Sequence, residues 1–374
     1  KGTTPFMFNS CIGVKISQFT YLCSMQNRRL GIYVLAVALL AVVIGGVFAV
    51  QKGYFKKETA TTDTLSAIRT ITPEIEQYSL ALQQDSLNAG ILFNRANAHF
   101  DYGNLKYALE DFAMAYTIDS TQAAYALGYS DCLFEMSRAQ EAIEILASYQ
   151  ARYPSNPDIL LNLAIDYFLL PEPKYQLAIN QLNELLRLDI QNAPAYFYKG
   201  LIYKESGDTT KAISNFQACT EVDPDYYDAW MQLGLIFADR GDPLAIQYYD
   251  NAIATGDTSR EAAYAKAKFF QDKGDVDKAI NYYRQIIIRN PQDADALYNL
   301  ATIYFGIDSV EKAFRYFDLS VKQSPAKAYA HYGMGLCAEK LGRKQEALTY
   351  FQQAMNLDPE LTFIQEKIDE LKAQ

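Results

Sequence analysis

The chain repeats one spacing of apolar residues over most of its length. In residues 294–327, Leu297, Leu300, Ala301 and Tyr304 lie three and four positions apart, and so do Ala313, Phe314, Phe317 and Val321. That spacing predicts two amphipathic helices. Gly306-Ile307-Asp308-Ser309 breaks the pattern between them, and Ser324-Pro325 closes it. Neither helix is long enough to hold its shape alone in water, so the pair must stack on neighbours.

The same beat supplies the neighbours. Alanine recurs at Ala108, Ala142, Ala178, Ala212, Ala245, Ala279, Ala313 and Ala347, at intervals of 33 to 36 residues. Four residues after each stands a large side chain: Phe112, Leu146, Leu182, Phe216, Tyr249, Tyr283, Phe317 and Phe351. An earlier small residue keeps step at Ala96, Ser130, Ala164, Gly200, Gly234, Ala267, Ala301 and Gly335. Proline follows at Pro154, Pro224, Pro291, Pro325 and Pro359, where it stops the second helix. Small residues let backbones approach, and the large side chain fills the gap between them. All of these positions therefore read as packing positions.

This signature resembles the tetratricopeptide repeat, a helix–turn–helix unit of about 34 residues. The fullest match is Trp230-Met231-Gln232-Leu233-Gly234 with Phe237, Ala245, Tyr249 and Ala252. The resemblance implies an all-α fold, a right-handed superhelical solenoid. Eight repeats are predicted over residues 89–361, at 89–122, 123–156, 157–192, 193–226, 227–259, 260–293, 294–327 and 328–361. Two depart from the pattern and are expected to be distorted: 123–156 has Ala126 where an aromatic usually stands, and 157–192 carries an insertion at Leu170-Pro171-Glu172-Pro173. A half-repeat helix is predicted over 73–88, and a C-terminal capping helix over 362–374, apolar on one face and charged on the other.

The N-terminal part is of another kind. Residues 30–50, LGIYVLAVALLAVVIGGVFAV, contain no charge over 21 positions. At about 1.5 Å per residue this spans a hydrocarbon core of about 30 Å. A single transmembrane anchor is predicted, with a cleaved signal helix as the competing reading. Residues 1–29 form a tail in which 1–24 read as sequence upstream of a natural start at Met25, and 51–72 form a Thr-rich linker. A short tail beginning at Met25 resembles a bacterial signal anchor. The expected location is the bacterial inner membrane with the repeats in the periplasm; export after cleavage, or repeats in the cytoplasm, are the alternatives.

Charge is divided to match. Residues 1–57 carry seven basic and no acidic side chains, whereas the remainder carries 27 basic against 44 acidic, a net of −17. An acidic array disfavours nucleic acid, whose phosphates need Lys and Arg. The five cysteines show no CxxC, and His99 and His331 occupy positions that are aromatic in other repeats. No disulfide framework, metal, cofactor or enzyme activity is expected, and the chain has no GxxxxGK[ST], HExxH or GxSxG.

In this repeat family the first helices line the concave groove. One-turn-spaced positions there give the candidate peptide-groove residues: Phe93, Asn97, Leu127, Asp131, Phe197, Met231, Tyr264, Lys268, Tyr298 and Tyr332, with Leu161, Ile165, Leu201, Leu235, Thr302 and Leu336 completing the row. The family's carboxylate clamp needs Lys at leading positions, and none of the eight carries one. An aromatic groove suits a peptide held by side-chain pockets. The predicted function is a membrane-anchored scaffold that recruits or assembles partner proteins through that groove. A structural subunit of a fixed cell-envelope complex or homo-oligomer is the alternative, and other proteins or peptide segments are the expected partners.

Overall fold

The computed structural model describes residues 72–256 and 260–373. The predicted anchor at 30–50, the tail 1–29 and nearly all of the linker 51–72 lie outside the described residues. Among those described, every regular element is a helix, and no helix is long and apolar enough to cross a membrane.

The first is α1 (Pro73–Gln84), followed by hairpins of α2 (Ala89–Asp101) with α3 (Leu105–Ile118), α4 (Ala123–Glu135) with α5 (Ala139–Arg152), and α6 (Pro157–Leu169) with α7 (Tyr175–Leu188). Helix α8 (Ala193–Glu205) contains the boundary between two compact units, one ending at Ile202 and the next beginning at Tyr203. The second unit continues with α9 (Thr209–Val222), α10 (Tyr227–Asp239), α11 (Leu244–Ala254), α12 (Arg260–Asp272) and α13 (Val276–Arg289). It closes with α14 (Ala294–Gly306), α15 (Val310–Gln323), α16 (Ala328–Lys340), α17 (Lys344–Leu357) and α18 (Phe363–Ala373). From α1 to α7, and again from α9 to α18, each helix packs on its neighbours in the chain.

Local chemistry sets the ends. Thr72, Asn88, Asn156 and Asp293 each stand just before a helix, and their side chains accept the N–H of Ile75, Ile91, Ile159 and Ala296. Such caps satisfy donors that the helix itself leaves open. The short turns inside the hairpins each use one residue with left-handed backbone. Glycine supplies it at Gly103, Gly207, Gly241, Gly274 and Gly342, whereas Ser137 does so in the α4–α5 turn at φ 61° and Asp308 in the α14–α15 turn at φ 59°. A serine pays a steric cost there that glycine escapes. Ser137→Gly should therefore stabilise the first unit by about 0.5–1 kcal/mol, after the greater chain entropy of glycine is subtracted. A chemical-denaturation midpoint that falls would contradict this.

The small and large positions meet as the spacing predicts. A Cβ built on Gly335 would lie 2.5 Å from the Phe351 ring, and one on Gly128 would lie 2.6 Å from Phe112. Phe351 presses on its own hairpin's first helix, and Phe112 on the first helix of the following hairpin. Phe317 makes both contacts, 5.6 Å from the Tyr298 ring of its own hairpin and against Gly333 of the next, so one ring binds two hairpins together.

The hairpins expected to be distorted are regular. Ala126 is fully buried, and Ile143, Leu146, Tyr149, Ile159 and Leu163 fill the space around it. The Tyr149 hydroxyl reaches back 2.8 Å to donate to the Thr121 carbonyl. The insertion stays in the turn, where the Lys174 N–H donates to the Tyr167 carbonyl at 2.9 Å. Both histidines are buried. His99 lies 5.4 Å from the Tyr107 ring, and the His331 ring nitrogens lie 3.1 Å from Gln353 Oε1 and 3.0 Å from the Pro325 carbonyl. Cys132, Cys219 and Cys337 are buried free thiols. Burial pushes Cys132 and Cys337 up to about 12, and Cys219 upward as well, so none is a thiolate at neutral pH.

Candidate interaction face

The first helices place the groove candidates unevenly. Phe197 is 0% exposed and Met231 2% exposed, so neither lines an open groove. Phe197 stands edge-on to Tyr198 at 5.7 Å, and Met231 lies in a stretch of α10 where Ala229, Gln232 and Leu233 are buried as well. Ile165 and Leu201 of the same row are buried too, so helical spacing assigns a face but not depth, and at these positions the face is covered.

Phe93, Asn97, Leu127, Asp131, Tyr264, Lys268, Tyr298 and Tyr332 are half-buried. Phe93 lies 5.7 Å from Phe112 and 5.0 Å from Tyr125. Asn97 donates its amide to the Phe93 carbonyl at 2.9 Å, and Leu127 leans on the cluster around Ala126. Lys268 is paired with Asp272 one turn on. The three tyrosines share one arrangement: Tyr264, Tyr298 and Tyr332 each set their ring 5.6 Å from the wedge ring of their own hairpin, Tyr283, Phe317 and Phe351. Burial raises all three phenols, Tyr298 to about 12, so they remain neutral donors. Each ring thus has one side in the core and an edge on the face.

Sequence spacing within a helix missed the charged groups that bind successive hairpins. Arg260 donates Nε to Asp293 Oδ2 at 2.5 Å and Nη2 to Asp293 Oδ1 at 2.9 Å, and reaches Asp295 Oδ2 at 2.5 Å. Lys327 holds the other Asp295 oxygen, and Asn299 bonds the Tyr264 hydroxyl. The partners are 32 to 35 residues apart. One-repeat spacing of opposite charges is the signal that would have found them. Burial by itself would raise the Asp293 pKa, but the Arg260 hydrogen bonds and the Ala296 N–H outweigh it and hold the carboxyl below its ordinary range. Asp295 is likewise lowered against burial, by Lys327 and Arg260.

The cations also cap rings. The Arg260 guanidinium lies 5.5 Å from the Tyr264 ring centre, Lys327 Nζ lies 5.0 Å from Tyr298, and Lys340 Nζ lies 4.8 Å from Phe305. Such contacts are worth about 0.5–1 kcal/mol at exposed sites. The result is a row of ring edges and charges fixed across α12, α14 and α16. These contacts hold the rings and charges in place.

Family models place the repeat. Residues 193–226, 264–328 and 328–361 each match a model described as tetratricopeptide repeat. Those stretches are similar to the tetratricopeptide repeat. Among curated proteins, the BBSome complex member bbs-4 of Caenorhabditis elegans is 28% identical over 145 residues, covering 37% of this chain. Tetratricopeptide repeat protein 14 of Mus musculus is 28% identical over 116 residues, covering 29% of this chain. The chain spans 31% and 15% of the lengths of these relatives. Among solved structures, the C-terminal part of a tetratricopeptide-repeat protein from Cytophaga hutchinsonii matches 64% of this chain and 97% of its own, with a TM-score of 0.53 at 22% identity. That likeness shows the fold. Tetratricopeptide-repeat proteins generally mediate protein–protein interaction.

Proposed function

We propose that the chain is a binding scaffold, tethered to a membrane by residues 30–50, that recruits partner proteins through the first-helix face of its repeats. The observation that carries the docking role is the fixed row on α12, α14 and α16. Its rings and charges are held by Tyr283, Phe317, Asp293 and Asp295 before any partner arrives. A surface ordered in advance loses less entropy on binding. Extended segments with apolar anchors fit the ring edges, and basic flanks suit the acidic array. The worm relative, by its name a member of a complex, is in keeping with such a role. The tether rests on the uncharged 21-residue run, and orientation toward a periplasm-like space rests on the short tail after Met25.

The test is site-specific photo-crosslinking in the full-length protein. A crosslinker at Lys268 or Thr302 should capture one defined segment of a partner, whereas one at Ile288, 79% exposed on α13, should not. Equal capture from Ile288, or none from the first helices, would overturn the docking role. Alkaline extraction checks the tether separately: the full chain should stay with the membrane, and its release would remove the anchor while leaving the docking face standing.

A further inference from the structure

A second candidate site lies away from the first-helix row, between the second helices α11 and α13. A cavity of about 180 Å³ opens there, floored by α12 and lined by Asp250, Ile253, Ala263, Lys266, Tyr282, Gln285, Ile286 and Arg289. Two departures from the repeat make it. At the register of Ala263, neighbouring hairpins carry Trp230, Leu297 and His331, so a large side chain is missing. At the register of Lys266, Leu233, Leu300 and Met334 are buried apolar side chains, while Arg95 and Lys199 are the other cations in this register; only at Lys266 does the cation coincide with the small Ala263. At two other places the space between second helices is bridged: Gln150 bonds Gln181 at 2.6 Å across α5 and α7, and Phe314 meets Tyr350 at 5.9 Å across α15 and α17.

Lys266 is more than nine-tenths buried, yet it lines the cavity. Nζ donates to Asp250 Oδ1 at 2.5 Å and lies 4.7 Å from the Tyr282 ring centre. An ammonium has three N–H donors, and Asp250, whose side chain is half exposed, takes one of them. Arg289 adds a second positive charge, so the lining carries two cations against one carboxylate in an otherwise acidic array. Ile253, Ile286 and Ala263 supply an apolar wall beside these charges. A structural ion pair alone would not need the missing side chain at Ala263 or the added charge of Arg289.

We propose that this cavity binds a carboxylate on a short aliphatic stem, its oxygens on Lys266 and Arg289 and its stem against Ile253 and Ile286. Bare phosphate would leave the apolar wall unused, and the cavity is too small for a nucleotide. The carboxylate is either a free small acid or a glutamate side chain on a partner. The site does not depend on the first-helix face, so either can fail without the other.

The test follows the isoleucine methyl resonances of the full-length protein labelled at isoleucine. Butyrate, the neutral isostere butyramide, and N-acetyl-glutamate amide serve as probes. Saturable shifts at Ile253 and Ile286 are expected with butyrate or the blocked glutamate, and not with butyramide. Whichever of the two acids binds more tightly identifies the source. Lys266→Met, which places at this register the residue found at Met334, should weaken binding about tenfold or more while leaving the helical circular dichroism and melting intact. Ala263→Leu should fill the space and abolish the shifts without unfolding the chain. Equal shifts with butyramide, no saturable shift with either acid, or undiminished binding in a folded Lys266→Met protein would overturn the proposal.

Discussion

Replacing Tyr283 with alanine is expected to destabilise the second unit by about 3–5 kcal/mol, the range for removing a buried aromatic ring. Tyr283 is fully buried, and its ring meets Tyr264 edge-on at 5.6 Å. Its hydroxyl donates to Gln271 Oε1 at 2.9 Å. The ring is the wedge of its hairpin, so its loss also loosens the face that Tyr264 presents. Tyr283→Phe separates the two contributions: it keeps the ring, removes only the hydrogen bond, and should cost about 1 kcal/mol. Urea unfolding of both variants measures this directly. A Tyr283→Ala protein within about 1 kcal/mol of the parent would mean that the rings do not hold the stack. For the same reason Tyr264, Tyr298 and Tyr332 are poor positions for testing binding by alanine, since each leans on a wedge ring and its removal disturbs the fold first.

Arg260→Met is expected to be nearly as damaging, about 3 kcal/mol at neutral pH, and its effect should depend on pH. The Asp293 side chain has no exposure, so removing Arg260 strands a buried carboxylate with only the Ala296 N–H. In the parent, Asp293 titrates below its ordinary range and so adds stability above the unfolded pKa of about 3.9, losing it as pH falls through the lowered folded value. In the variant, burial without the guanidinium should lift the Asp293 pKa above the unfolded value. The carboxyl then favours folding only when protonated, and the defect shrinks as pH falls toward 5. Adding Asp293→Asn should recover much of the loss, because the amide keeps a cap for Ala296 and carries no charge. A defect that stays constant between pH 7 and pH 5 would show that Arg260 acts through packing of its stem.

The repeat phase, the helix pairs and the wedge were legible because each follows from hard contacts between fixed registers. Gly335 needs to be small because Phe351 lies against it, and that demand recurs every 34 residues or so. What lay on the surface was less legible. Phe197 and Tyr264 occupy the same register, yet one is sealed and the other keeps an edge exposed, since depth depends on side chains one repeat away. The Arg260–Asp293–Asp295–Lys327 set was missed for the same reason. Asp293 caps α14, but the cationic partners of Asp293 and Asp295 sit a full repeat distant. Ala126 predicted a distorted hairpin because it was judged alone; Tyr149 compensates for it from the second helix. The cavity at Lys266 became visible only when α11, α12 and α13 were brought together.

Peptide-resolved amide hydrogen exchange on the full-length protein tests most directly whether rings wedged between neighbouring hairpins hold the repeats together. The account predicts slow exchange in helix interiors, fast exchange in turns, and the same alternation recurring about every 34 residues from α2 to α17, with Tyr283→Ala accelerating α12, α13 and α14 together. Protection without that beat, or acceleration confined to α13, would contradict it.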